Sequence, residues 1–308
     1  MQLVILQEML GFLAMILIGV LAARCRLMTD PGLASMNALA QKVFLPLMVF
    51  TFTYQSLTVD ALRQHWPMIP LTACFYLAVI AGTFLLSKAL GLSGARANAF
   101  RMVFTFGNTG FIGLPLLSAA FGESGVVNLL LFMVVDQLVL WTYGIQEASQ
   151  RSDRPSLRQS LVGLATPNLI AFAFGFATVA AGVSLPPFVE APLASLSAVA
   201  SPLCMVCVGG LCRSSDMGKA LVQPELYVGI AAKMVALPLA CLPVLVQLDL
   251  GADIVASLLL MMAMPATTLV PLLVASEGGD GPYATRMSIA TIVASACTVP
   301  MVAAFIGG

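Results

Sequence analysis

Between Gln2 and Ala23 the chain carries a single charged residue, Glu8, and stretches of this kind recur to the end of the sequence. A helix needs about 20 apolar residues to cross the hydrocarbon core of a bilayer. Runs bounded by charge, proline or glycine predict ten such spans, at 3–23, 33–55, 67–89, 97–121, 125–147, 161–181, 191–212, 224–246, 252–275 and 283–306. Only 9% of the residues are charged, against about 25% in soluble domains, and mean hydropathy is +0.99. The lipid bilayer is this chain's solvent, and the expected fold class is an all-α integral membrane protein. The first run lacks the positive start and small-residue cleavage site of a signal peptide, so it reads as a retained span.

The longest hydrophilic connection, "ASQRSDRPSLRQS" at 148–160, splits the chain into 1–147 and 161–308, each with five spans. Eleven basic residues fall on one set of connections (Arg24, Arg26, Lys88, Arg96, Arg101, Arg151, Arg154, Arg158, Arg213, Lys219 and Arg286) and only Arg63 on the other. Basic connections stay in the cytoplasm. Both termini are therefore expected outside, on the periplasmic face of an inner membrane, with the 148–160 linker inside. Net charge is zero and there is no basic domain, which excludes nucleic acid as a partner.

Two of the runs are interrupted in their middle. "GNTGFIGLP" (107–115) and "AMPATTLVP" (263–271) set glycine, proline, asparagine and threonine inside apolar sequence. They are also related to each other. At an offset of 156, Pro46 meets Pro202, Pro115 meets Pro271, Gly19 meets Gly175, Gly122 meets Gly278 and Gly125 meets Gly281. A duplicated unit of five helices crosses the membrane in opposite senses in its two copies, which is the inverted repeat of many secondary transporters. Broken backbone at membrane depth is tolerated only where protein or a water-filled cavity surrounds it. The N–H groups at a half-helix start favour an anion. The candidate substrate residues are therefore Asn108, Thr109, Gly110 and Pro115 in the first break and Pro265, Thr267, Thr268 and Pro271 in the second. The plainer reading is a pair of kinked helices packed through small residues.

Charge inside a span is costly enough to read as function by default. Asp136, beside Gln137, lies about 16 Å into its span and is a candidate proton or cation site, or else the static partner of Lys233. Lys42 and Lys233 could each draw a carboxylate inward or extend the ammonium toward the headgroups. Glu8 and Glu147 lie near span ends and are expected to be solvated. The lone histidine, His65, is placed in an outer connection and cannot build a zinc site by itself. The pair Cys204 and Cys207 is expected to be apolar filler. Gly-x-Ser-x-Gly and P-loop patterns are absent from the sequence, which argues against an embedded hydrolase or primary pump. No cofactor is expected.

The segments "FGNTGFIGLPLL", "ALAQKVFLPLMVF" (38–50), "TPNLIAFAFG" (166–175), "ASPLCMVCVGG" (200–210), "KMVALPL" (233–239) and "AMPATTLVPLLVAS" (263–276) resemble the auxin efflux carrier family, bacterial branch, whose fold is similar to that of bile-acid:sodium symporters. The resemblance implies a scaffold of helices 1, 2, 6 and 7, a moving transport domain of helices 3–5 and 8–10, and crossing helices 4 and 9 around an organic-anion site. It implies small carboxylates such as malonate or an auxin-like acid as substrates, carried by an elevator-type movement, and it alone suggests a homodimer. Where relatives have Asn-Pro, this chain has Thr166-Pro167-Asn168, which keeps Asn168 as a secondary candidate. "AMPATTLVP" lacks the glutamate of the sodium symporters, so sodium coupling stands as an alternative, beside a passive anion channel or sensor on the same fold.

Overall fold

The computed structural model describes residues 1–150 and 165–306. Most of the expected linker and the start of the sixth expected span lie outside them, as do Arg151, Arg154 and Arg158. Thirteen helices are described: α1 (Gln2–Arg24), α2 (Asp30–Ser56), α3 (Val59–His65), α4 (Met68–Ala89), α5 (Gly94–Thr105), α6 (Thr109–Ala148), α7 (Pro167–Ala180), α8 (Pro187–Ser214), α9 (Met217–Leu221), α10 (Pro224–Val246), α11 (Ala252–Ala263), α12 (Leu269–Ser276) and α13 (Gly281–Ile306). Seven of them are long and apolar enough to cross a membrane: α1, α2, α4, α6, α8, α10 and α13.

That number differs from the ten expected for local reasons. The expected fourth and fifth spans share α6, 40 residues in two helical arms that turn back on each other at Gly122, where φ is +60° and ψ −139°. Only glycine adopts that geometry without strain. The two arms lie side by side, since a Cβ on Gly113 would come within 2.6 Å of the Leu129 side chain. The ninth expected span is split into α11 and α12, and the sixth is described only as the 14 residues of α7.

Three helices widen into a π-type turn immediately before a Leu-Pro pair: Ala40–Phe44 before Pro46, Thr109–Gly113 before Pro115, and Ile230–Ala236 before Pro238. Proline has no N–H to donate, and its ring collides with the carbonyl four residues back. An extra residue in the preceding turn moves that carbonyl aside, so the helix continues through the proline.

Helices α1 and α8 pack backbone to backbone, with Gly19 against the Val206 carbonyl and Gly209 against that of Ile16. Gly175 on α7 lies likewise against Thr53 of α2, where an added Cβ would sit 3.0 Å from the threonine Cβ. Small residues allow this close approach where no hydrophobic effect drives helices together. Helices α1, α2, α7 and α8 pack chiefly on one another, and α4, α5, α6, α10, α11, α12 and α13 pack among themselves, with α1 also lying against α13.

Two sequence expectations change. His65 is buried rather than displayed on a loop: its Nδ1–H donates to Asn128 Oδ1 at 2.8 Å, and Asn128 Nδ2 donates to the Asp253 carbonyl (3.2 Å) and Ser257 Oγ (3.1 Å). The sole histidine thus fastens α3 to α6 and α11. Glu147 is not simply solvated either, because its Oε1 meets Arg101 Nε at 2.9 Å.

Candidate functional site

Helix α5 stops at Thr105, and Phe106 turns extended (φ −100°, ψ 121°). Helix α11 stops at Ala263 in the same way, with Met264 at φ −59° and ψ 141°. The two freed strands of backbone then meet each other. Gly107 and Ala266 form an antiparallel bridge, in which Asn108 N–H donates to the Pro265 carbonyl at 2.7 Å and Thr267 N–H to that of Phe106 at 3.1 Å. Backbone groups orphaned by each break are thereby paired across the crossing, as a low-dielectric interior demands. A Cβ on Gly107 would meet the Met264 Cβ at 3.2 Å, so glycine is what lets the chains approach.

Both chains resume as helices beyond the bridge. Asn108 begins the first, its Oδ1 accepting the Phe111 N–H at 3.2 Å as an N-cap does. That bond leaves Asn108 Nδ2 buried, at 1% exposure for the residue, with no hydrogen-bond partner among the described residues. Thr268 precedes α12 without capping it, and Thr267 Oγ1 accepts the Leu269 N–H at 3.4 Å.

A cavity of about 480 Å³ lies against the crossing. Asn108, Thr109, Gly110, Thr267 and Thr268 form one wall. Gln41 and Lys42 of α2, Thr166, Pro167 and Asn168 at the start of α7, and Asp136, Gln137 and Trp141 of α6 complete the lining with the apolar residues. Lys42 is exposed. The cavity joins one exposed cation, a buried amide with a free donor and two helix starts, in walls otherwise made by Leu45, Phe111, Met133 and Leu269. This set can hold a small anion, since the ammonium supplies charge and the N–H groups supply direction.

The sequence model of a family described as "Membrane transport protein" matches residues 4–303. The chain belongs to this membrane transport family. It is a transport family and not an enzyme family, of the auxin-efflux-carrier type that the motifs resemble. No curated protein matches the chain with statistical support.

In this member of the family, ten of the thirteen residues singled out from sequence line the cavity or form the crossing beside it: Asn108, Thr109, Gly110, Thr267, Thr268, Asp136, Gln137, Lys42 and Asn168 on the lining, and Pro265 through its carbonyl. The other three stand elsewhere. Pro115 faces a separate cavity beside Glu8, and Pro271 a third one shared with Thr268. Lys233, 4% exposed, lies behind Gly107, its Nζ donating to the Met264 carbonyl. A cation there complements the carbonyl end of α11, so Lys233 neither reaches toward the headgroups nor lines the cavity.

Asp136 and Lys233 are not a direct pair, for no ion pair within 4.0 Å joins them. Both carboxylate oxygens of Asp136 are already engaged, one by the Tyr76 hydroxyl and one by Gln137 Nε2 at 3.1 Å. Trp141 Nε1 in turn donates to Gln137 Oε1 at 3.3 Å. Tyr76, Trp141 and Gln41 escaped the sequence reading, and Thr166 entered it only as a neighbour of Asn168. Trp141 and Gln41 carried a usable signal, being four residues from Gln137 and one from Lys42. Tyr76 carried none, since its partner is 60 residues away.

Proposed function

We propose that the chain is a secondary carrier that moves a small organic anion across the cytoplasmic membrane by an elevator-type displacement of one helical body against the other. The observation that carries this reading is the paired crossing with the free Asn108 amide beside it, in a cavity that also holds Lys42. The anion's carboxylate would accept from Asn108 Nδ2 and the helix-start N–H groups, with Lys42 balancing its charge. Asp136 is the candidate coupling group, ordered by Tyr76 and Gln137.

We further read ten crossings, arranged as two inverted repeats of five. The support is register. Gly122 and Gly278, 156 apart, both take positive φ, +60° and +79°. Gly19 and Gly175 both set α-helices in backbone contact, and Asp60–Arg63 in α3 recurs as Asp216–Lys219 at α9. The charge bias supports termini outside and the 148–160 linker in the cytoplasm. Helices α1, α2, α7 and α8 would be the scaffold, and the rest the moving body.

The test is counter-flow in proteoliposomes with radiolabelled malonate and indole-3-acetate. A carrier is accelerated by unlabelled substrate on the far side and a channel is not. Asn108→Ala should lower exchange by at least about 100-fold, the scale on which losing one directed donor acts in a dry site, while the protein still folds. Undiminished exchange in that variant sinks the site assignment.

A further inference from the structure

A second cavity, of about 370 Å³, lies on the far side of the same crossing, lined by Glu8, Thr51, Gln55, Ser197, Ser201 and Pro115 among others. One hydrogen bond stands between the two: Ser201 Oγ donates to the carbonyl of Phe111, and Phe111 lines the first cavity while Ser201 lines the second. The repeat relates them. At the offset of 156, Gln41, Lys42 and Leu45 of the first cavity fall on Ser197, Ala198 and Ser201 of the second, and all six are lining residues. The same cavity has in effect been built twice, on either side of that hydrogen bond.

The copies differ in charge. Lys42 in one is replaced by Ala198 in the other, which instead carries Glu8, half-buried and without an ion-pair or hydrogen-bond partner among the described residues. The first cavity sets the exposed ammonium of Lys42 against Asp136, whose carboxylate oxygens are held by Tyr76 and Gln137, with Lys233 as a further cation behind Gly107. The second has one carboxylate and no cation on its lining. A narrow cavity with low-dielectric walls focuses the field of such a lone charge.

We propose that Glu8 makes the outer cavity an anion-repelling vestibule, so that the organic anion engages the crossing more readily from the Lys42 face than from the Glu8 face. This rests on the carrier reading and adds sidedness to it. Repulsion in the outward-facing state weakens binding there and speeds release by the same factor. The equilibrium across the membrane is untouched, and the half-saturation concentration on the outer face rises.

The charge asymmetry is measurable without knowing the substrate. In a cysteine-free background, Gln55→Cys reports the outer cavity and Gln41→Cys the inner one, through reaction rates with anionic sulfonatoethyl and cationic trimethylammonioethyl methanethiosulfonates. Gln55→Cys should favour the cationic reagent, and adding Glu8→Gln should reduce that preference by about tenfold, as one unit charge a few ångströms away does in partly screened solvent. The preference at Gln41→Cys should be anionic and unmoved by Glu8→Gln. In transport, Glu8→Gln should lower the half-saturation for malonate or indole-3-acetate severalfold from the outer face only. A cation-to-anion ratio at Gln55→Cys that Glu8→Gln changes by less than about twofold, or a Gln55→Cys that neither reagent reaches, overturns the proposal. Absence of counter-flow in the unmutated protein with the thiol ratios as expected overturns the carrier reading instead.

Discussion

The two breaks that meet at the crossing are made by different means. The first, Phe106–Asn108, is largely self-sufficient: its own Asn108 caps the turn that follows, and Gly113 N–H closes onto the Asn108 carbonyl at 3.0 Å. The second, Met264–Thr268, is held from outside. Lys233 of α10 takes the Met264 carbonyl, Thr291 Oγ1 of α13 takes the Ala266 N–H at 3.1 Å, the first break takes the Pro265 carbonyl and the Thr267 N–H, and the Leu269 N–H is held locally by Thr267 Oγ1 at 3.4 Å. The two breaks thus divide the labour. One copy presents a free polar group to the cavity, and the other is fixed in place by the body around it.

Removing the outside supports should show this most strongly. Lys233→Met leaves the Met264 carbonyl unpaired in a dry interior, and losing a hydrogen bond from a charged donor costs roughly 1.5–3 kcal/mol. Relief of the ammonium's own desolvation offsets part of that, so a loss of about 2 kcal/mol is expected in detergent-solubilised protein, read as a lower unfolding midpoint. Thr291→Val orphans only the Ala266 N–H and should cost about 1 kcal/mol. An unchanged midpoint in both variants would mean that the second break stands by itself, and the contrast fails.

Substitution in the first break separates capping from presentation. Asn108→Ser keeps a good N-cap and removes only the free Nδ2. Stability should move by a few tenths of a kcal/mol at most, while anion exchange falls as far as in Asn108→Ala. If Asn108→Ser transports normally, the amide is a structural cap and nothing more.

What could be read from sequence follows this same division. The breaks were legible because glycine and proline are expensive in a helix, and their pairing was legible because Pro115 and Pro271 keep one register. Asn108 and Lys42 were visible as polar groups where lipid permits few. The partners were not visible: that Lys233 would turn to Met264, or Tyr76 to Asp136, depends on how α10 and α4 are placed against the crossing, and no local pattern encodes it. Pro115 and Pro271 were assigned to the site for being in the breaks. They shape the helices after the crossing, and so they face other cavities. His65 misled for a related reason, since a polar residue beside a turn reads as solvated until Asn128 is found opposite it.

The short connecting helices α3 and α9 each carry an aspartate three residues before a basic side chain, and they should respond least. Asp216 Oδ2 lies 3.0 Å from Lys219 Nζ and its Oδ1 accepts the Lys219 N–H at 3.4 Å. Hydrogen bonding to Lys219 holds its carboxyl below the usual carboxylate range. A value lowered in the folded state means that the ionised group favours folding above its ordinary pKa, and that this contribution fades as the pH falls through the lowered value. The pair is exposed to solvent, and salt screens it. Asp216→Asn should therefore leave the unfolding midpoint and transport unchanged at neutral pH, and raise amide exchange only around Lys219. Asp60 sits 3.9 Å from Arg63 in the matching helix, where Thr58 is the cap, so Asp60→Asn should not move even that local signal. A transport defect in either variant would make the connections, rather than the crossing, the place where the two halves act differently.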